Sequence, residues 1–302
     1  MLLEDAHVAT FTSLRPLLFS VAYRMLGQAS DAEDAVQEAW LRYAPRANDV
    51  HDPRAWLIRT VTRLSLDQLR SARTRRERYV GPWLPEPVLT GGALVEDPFE
   101  SVERRELLSL GALAMLERLS APERAVLVLR EALDLSHAEI AGAVGVTEAS
   151  SRQLLARARR RIASSHARAA PSAEVHRRLI DALLGAFQDG DVRSLVALLR
   201  EDAVAVTDGG GETLAARRPV LGGDRVLRLL AGLLAKAPPE LRAVRAPVNG
   251  TPGLVVHAGD GDPVYVLQLV ADGGGRIAQI LLVAAPSKLA FARRQRPRPA
   301  SG

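Results

Sequence analysis

The sequence predicts a multidomain chain in which two all-α units are followed by an α+β cone. Three observations carry this. From residue 11 to about 166, apolar side chains recur at the three- and four-residue spacing of amphipathic helices. Between two such stretches, GPWLPEPVLTGGALVEDP at 81–98 is too rich in proline and glycine to continue a helix. Beyond residue 199, short runs that alternate or stay apolar are separated by glycine turns, as strands are. A chain of 302 residues with 47% hydrophobic content is long enough for two or three such domains, each with its own core.

Phe11–Leu26 reads as the first helix, stopped by Gly27. A second, with its own cap, runs from Asp31 to Tyr43. Ala32, Ala35, Val36, Ala39 and Tyr43 line one side of it, leaving Asp31, Glu33, Asp34, Gln37 and Glu38 as an acidic outer face. A third runs from Pro53 to about Arg73, with Leu57, Ile58, Val61, Leu64, Leu66 and Leu69 inward and Arg59, Arg63 and Arg70 in one outward stripe. Asp67 sits in that stripe as a partner for Arg63 or Arg70. An extended linker is expected at 79–97. In it Trp83 and Leu84, held between Pro82 and Pro85, form an anchor for another surface or a cover for the edge of a neighbouring helix. Asp97, Pro98 and Glu100 make the next helix start, and the second helical unit extends to roughly His166.

The densest signal lies at 120–162, in SAPERAVLVLREALDLSHAEIAGAVGVTEASSRQLLARARRRI. Ser136 and Glu139 have capping-box spacing, Ile140, Ala141 and Val144 give a short apolar face, Gly145 makes the turn, and Thr147 caps the next helix. With Ser151, Leu155, Ala158 and Ile162 inward, Ser150, Arg152, Gln153, Ala156, Arg157 and Arg160 point outward. Such a face suits a DNA major groove, where serine, glutamine and arginine reach base edges and further arginines hold phosphates.

Charge and composition narrow the classes. The net charge is only +5, but the cations are almost all arginine and cluster at 54–78 and 152–168, as on a surface for a polyanion. With no cysteine, disulfide scaffolds, thiolate metal sites and cysteine nucleophiles are excluded. No metal or nucleotide signature is present, so no cofactor is expected. MLLEDAHVATF has no basic stretch ahead of an apolar core, and no apolar run has spanning length, so the expected location is cytoplasmic.

In the third unit, a helix carrying Val175, Leu179, Leu183 and Phe187 and a second at Asp191–Leu199 precede VAVT, LRAVRAPV, GLVVHA, PVYVLQLVA and RIAQILLVA. GGDRVLRLLAGLLAKA inserts a helix among these strands, which predict a curved antiparallel sheet. A conical sheet encloses a cavity, so a small apolar effector is an expected partner. Asp208, His257, Asp202 and Tyr265 are the polar candidates for chemistry there; each is explained more simply as a turn, surface or strand residue, and no enzyme is expected.

DAEDAVQEAWLR at 31–42, DPRAWLIRTVTRLSLDQLRSARTRR at 52–76 and the segment at 120–162 together resemble the sigma factors of the extracytoplasmic-function (ECF) group, which carry only sigma domains 2 and 4. The resemblance implies sigma domain 2 at 1–78, the linker at 79–97 and sigma domain 4 at 98–168. It implies as partners promoter DNA and the RNA polymerase core, through its clamp coiled coil and flap. Asp34, Gln37, Glu38 and Arg42 are then placed on the coiled coil. Asn48, Asp49, His51 and Trp56 become candidates for holding a base flipped from the −10 element, although an Asn and Asp in a loop also simply make turns. Arg59, Arg63 and Arg70 hold the same strands by their backbone, and Ser150, Arg152, Gln153, Arg157 and Arg160 face the −35 element. Ser151 stands where the sigma pattern more often has valine.

Residues 172–292 are similar to the SnoaL-like domain of the nuclear-transport-factor-like superfamily, which one ECF subgroup carries at its C-terminus; 293–302 is a tail expected to be disordered. WLPEP at 83–87 is intact, DGGGE at 208–212 stands for a DGGGK motif, and APSKL at 285–289 for NPDKL. Glycines at such a site are equally explained by a tight turn. The resemblance assigns Trp83, Leu84, Pro85, Asp208, Gly209, Gly210, Gly211, Lys288 and Leu289 to contacts between the extra domain and the sigma domains. It implies a sigma factor regulated in cis by a tethered domain. Of the departures from these motifs, Glu212 reverses a charge, and Ala285 with Ser287 removes two polar groups. A transcription regulator using the helix-turn-helix without polymerase, and a cone with ligand-binding or enzymatic activity, are the alternatives.

Overall fold

A computed structural model describes residues 2–77, 79–90, 108–163, 173–213 and 215–295. The expected helix start at Asp97, Pro98 and Glu100 lies outside the described residues. The chain divides into two compact units: the helices of residues 2–77 and 112–163 form one, and residues 79–90, 109–111 and 173–295 form the other. No helix among the described residues is long and apolar enough to cross a membrane.

In the helical unit, α1 (Leu2–Leu26), α2 (Ala29–Tyr43) and α3 (Pro53–Glu77) pack together. The first starts nine residues earlier than expected and runs through Pro16, whose missing N–H costs one hydrogen bond, while Leu17, Leu18 and Val21 bury the helix regardless. The second follows Gln28, which gives no side-chain cap, so the cap expected at Asp31 is absent and Asp31 lies inside the first turn. There its charge faces the positive end of the helix dipole. The buried face of α2 is the expected one: Ala32, Ala35, Val36, Ala39 and Tyr43. Residues expected as an open loop form a 3-10 helix at Ala44–Asp49, and Asp52 caps α3 by accepting the Ala55 N–H at 3.0 Å.

After α4 (Leu110–Leu116), the helices α5 (Ala121–Leu133), α6 (His137–Val144) and α7 (Glu148–Ala163) make the helix-turn-helix. Reciprocal caps organise it. Glu123 accepts the Ser120 N–H at 2.9 Å, and Glu139 accepts the Ser136 N–H at 2.8 Å while Ser136 Oγ receives the Glu139 N–H. Gly145 sits at φ 78°, a conformation that glycine adopts without the steric cost a Cβ brings. The apolar faces of α6 and α7 meet through Ile140, Ala141, Leu154, Leu155 and Ala158.

The second unit is a six-stranded sheet of order β2-β1-β6-β5-β4-β3, with β1 (Leu199–Asp208), β2 (Val220–Leu221), β3 (Leu241–Val248), β4 (Thr251–Ala258), β5 (Pro263–Ala271) and β6 (Ile277–Val283). The pairing of β1 with β6 is parallel, so the sheet is mixed and not wholly antiparallel as expected. Consecutive strands β3 to β6 form hairpins that only antiparallel pairing permits, whereas β1 reaches β6 through a long connection. On one face lie α8 (Ala173–Asp189) and α9 (Gly223–Ala235); Val192–Leu198, expected as a second α-helix, is a 3-10 helix capped by Asp191. After β6 comes a helix absent from the sequence reading, α10 (Pro286–Arg294), which packs on β5. It takes in the first two residues of the expected disordered tail; residues 296–302 lie outside the described ones.

The Glu123 carboxylate yields a pH prediction. Burial raises its pKa, but Ser120 donors and the charges of Arg161 and Arg157 outweigh burial and hold the carboxyl below its ordinary value. Its contribution to stability is therefore fully present above the ordinary carboxylate pKa and lost as pH falls through the lowered native one. Melting temperatures measured from about pH 6 down to 3 should fall steeply in the native chain and more gently in Glu123→Gln, which starts lower at neutral pH.

Candidate functional site

Ser150, Arg152, Gln153, Arg157 and Arg160 all lie on α7, with the four longer side chains exposed and Ser150 half-buried. Thr147 Oγ1 accepts the Ser150 N–H at 3.1 Å and fixes the start of the helix. Arg152 pairs with Glu148 one turn back, an exposed ion pair of the kind worth at most about 1 kcal/mol and easily exchanged for another anion. Two neighbouring arginines are spoken for differently. Arg159 binds Glu131 at 2.7 Å and Arg161 binds the buried Glu123 at 2.6 Å, both fastening α7 to α5. Ser151 is fully buried, and its hydroxyl meets His137 Nδ1 at 2.9 Å, so a polar side chain is accommodated where an apolar one is usual.

On α2, Asp34 and Gln37 are exposed, and Arg42 holds Glu38 at 2.7 Å. Leu41, which the sequence reading missed, lies between them on the same face and is 59% exposed. Its spacing of seven from Asp34 and four from Gln37 was the available signal. The 3-10 helix and the start of α3 frame two adjoining hollows of about 530 and 320 Å³, both bordered by Arg46, Trp56 and Arg59. Asp49 and His51 border the smaller one, Arg63 the larger; Asn48 is exposed but borders neither. Of the arginine stripe, Arg70 is paired with Asp67 at 3.0 Å, and Arg63 donates to the carbonyls of Gly142 and Ala143 at the end of α6. That contact places the positive charge at the negative end of a helix. Nearby, the buried Arg124 donates to the Met25 carbonyl at 2.7 Å and pairs with Glu117; burial pushes its pKa down to about 10, so it stays charged at neutral pH.

In the sheet-bearing unit, the expected linker is a strap laid along the sheet. Leu84, Glu86 and Val88 are buried, Leu89 bridges to Val248 at the end of edge strand β3, and the Thr90 N–H reaches the Pro247 carbonyl at 2.9 Å. Its clasp is Asp208 at the end of β1. That carboxylate accepts from Lys288 Nζ at 2.6 Å, the Leu84 N–H at 2.7 Å, the Tyr79 hydroxyl at 2.5 Å and the Gly210 N–H at 3.1 Å. Lys288 also donates to the Leu84 carbonyl and lies 3.4 Å above the Trp83 ring. Burial, and then the hydrogen bond and charge of Asp208, push the Tyr79 phenol far above its ordinary pKa, so it remains a donor. The following glycines let the strap approach: a Cβ on Gly211 would stand 3.1 Å from Val80, and one on Gly210 would stand 3.0 Å from the Tyr79 hydroxyl. Glu212 receives both the N–H and the hydroxyl of Ser287 at the start of α10, so these two departures from the motifs meet each other. Ala285 places its methyl beside Gly210 and donates its N–H to the Asp208 carbonyl at 3.0 Å, and Leu289 is buried.

Comparison with known proteins converges on one family. The family descriptions "Sigma-70 region 2" and "Sigma-70, region 4" match residues 10–75 and 110–162. The ECF RNA polymerase sigma factor SigJ of Mycobacterium tuberculosis is 41% identical over 249 residues, 82% of this chain and 80% of that protein. The chain belongs to the ECF RNA polymerase sigma factors. The crystal structure of the same SigJ superposes with a TM-score of 0.76 at 35% identity, covering 94% of this chain and 98% of that one, sheet domain included. A probable ECF sigma factor SigI from M. tuberculosis is 34% identical over 95% of this chain and 96% of its own length. As a sigma factor the chain serves RNA polymerase core and promoter DNA; a regulator acting without polymerase has no use for region 2, and that alternative falls away.

Three of the four polar candidates for chemistry in this sigma factor's cone are occupied structurally. Asp208 is the clasp, Asp202 pairs with Arg200, and His257 bonds the Gly261 carbonyl, leaving Tyr265 alone among them bordering the cavity under α8 and α9. Tyr79, a residue of the clasp, was not in the expected set and carries no motif signal, since only the fold brings it to Asp208 across 129 positions. Lys288→Met removes one partner of a buried pair and should cost about 3–5 kcal/mol in denaturant unfolding, while Asp208→Asn combined with Lys288→Met should recover part of that loss.

Proposed function

We propose that this sigma factor grips a promoter at two places and that its cone governs the distance between the grips by holding the linker. The observation that carries the reading is the clasp: the peptide that joins the two sigma regions in sequence is fastened to the cone by Asp208 and Lys288 at Leu84, and again by Gln268, whose Oε1 accepts the Leu110 N–H at 2.7 Å. A linker bound at both ends cannot lengthen or shorten freely, and a fused domain acts at high effective concentration.

In this reading Ser150, Arg152, Gln153 and Arg157 read the −35 element, Arg160 holds phosphate, and the sigma-4 helices meet the polymerase flap. Asp34, Gln37, Glu38 and Arg42 meet the clamp coiled coil, with exposed Leu41 as the apolar centre of that patch. The hollow bordered by Asp49, His51 and Trp56 takes a flipped base, and Arg59 and Arg70 hold the strand. Arg63 joins them on releasing the carbonyls of Gly142 and Ala143, so its hydrogen bonds oppose DNA binding in the present arrangement. The cone takes a small-molecule effector and turns nothing over.

In transcription reconstituted from core polymerase and a cognate promoter, Arg152→Ala should lose about 1–3 kcal/mol of promoter affinity and relax preference at one position of the −35 element, whereas Arg160→Ala should weaken all sequences alike. If Arg152→Ala transcribes and discriminates as the native chain does, the −35 assignment falls. Truncation near residue 170 should change promoter output, and Asp208→Asn should change it in the same direction while leaving the −35 preference intact. Equal output from all three chains would remove the regulatory reading.

A further inference from the structure

The cavity of the cone is larger than a packing defect. It has a volume of about 180 Å³ and is walled by α8, α9 and the concave face of β4, β5 and β6. Native interiors keep few voids larger than a water, and an apolar cavity of about 150 Å³ is known to take a benzene-sized molecule. Its wall is apolar almost throughout, with Leu183, Phe187, Leu230 and Leu254 among its side chains. Two polar groups interrupt that wall: Tyr265, from β5, and Lys236, the residue that ends α9. Neither side chain has a hydrogen bond or ion pair with the described residues. Lys236 is also one of only two lysines in a chain whose cations are otherwise arginine, and the other is the clasp residue Lys288.

An apolar chamber lined in part by Lys236 and Tyr265, whose ammonium and hydroxyl are uncommitted, selects for shape and for one charge. We infer that the cone binds a compact apolar monocarboxylate, of about seven to ten carbons by the volume available, with the hydrocarbon among the leucines and Phe187. Its carboxylate is held by Lys236 and the Tyr265 hydroxyl. A neutral alcohol of the same length fills the chamber without the charge-assisted bond, and an amine brings like charge to Lys236. Nothing reacts: the site has an anion holder and a donor, with no acid-base pair beside them. This inference gives the ligand class of the effector proposed above and rests on that reading only for its consequence in transcription, not for the binding itself.

Titration calorimetry on the purified full-length chain tests it with octanoate, 1-octanol and octylamine as probes. Octanoate should bind at one site per chain and about ten-fold more tightly than 1-octanol, the difference one charge-assisted hydrogen bond makes, with octylamine weakest. Lys236→Glu, an exposed change that spares the core, should abolish the preference for the acid, and Leu233→Trp should weaken octanoate and 1-octanol together by filling the chamber. Equal binding of octanoate and 1-octanol, or a preference for the acid that survives Lys236→Glu, overturns the assignment of the headgroup. Octanoate that fails to bind, or that binds Leu233→Trp as it binds the native chain, overturns the site. Octanoate added to reconstituted transcription separates the two readings: binding without any change in output ends the regulatory role and leaves the site standing, whereas absent binding with a strong truncation effect does the reverse.

Discussion

The ion pair of Asp208 with Lys288 is the contact on which the rest of the cone's arrangement with its strap depends. Both side chains are almost fully buried, so each is costly without the other, and the surroundings complete the pair: two further donors reach Asp208 from the strap, and a tryptophan ring covers Lys288. Such a pair adds little net stability compared with an apolar substitute. What it adds is uniqueness of position, because only one register of the strap brings Tyr79 and Leu84 to the carboxylate and Trp83 over the ammonium. The linker between the two sigma regions is thereby given a fixed course through residue 90.

The arginines divide by what they meet. Arg124, Arg159 and Arg161 are held by buried or cross-helix acceptors and fix the helical unit. Arg152 and Arg70 have only exposed partners within a turn, which a phosphate or base edge displaces at little cost. Arg63 is intermediate, since its acceptors are carbonyls at a helix end that water can satisfy when it leaves. The arginines of α3, α5 and α7 thus include both fasteners and DNA-facing candidates, and composition cannot separate them.

Much of the fold was legible. The strands at 241–248 and 263–271 lie where their sequence pattern put them, because alternation and glycine punctuation are local properties. The inward and outward sides of α2 and α7 follow from 3.6-residue periodicity in the same way. Some of the misses were local in cause as well. The 3-10 helices at 44–49 and 192–198 are too short to show a period, and α10 hides because its large apolar residues, Leu289 and Phe291, stand two apart and show no helical spacing. Ser151, which stands where valine is more usual, is hydrogen-bonded, and its partner His137 is fourteen residues away on another helix.

The sequence by itself determined the helix-turn-helix, its caps, its outward face and the three-part order of the chain, all set by interactions within about a turn or a hairpin. The tertiary structure alone decided that the prolines of the linker belong to the cone, that β1 pairs parallel with β6, and that Tyr79, Leu84, Asp208 and Lys288 share one site. Those facts join residues separated by as many as 204 positions. Their energy comes from burying charge and excluding water, which depends on what surrounds a side chain in space and leaves no period along the chain.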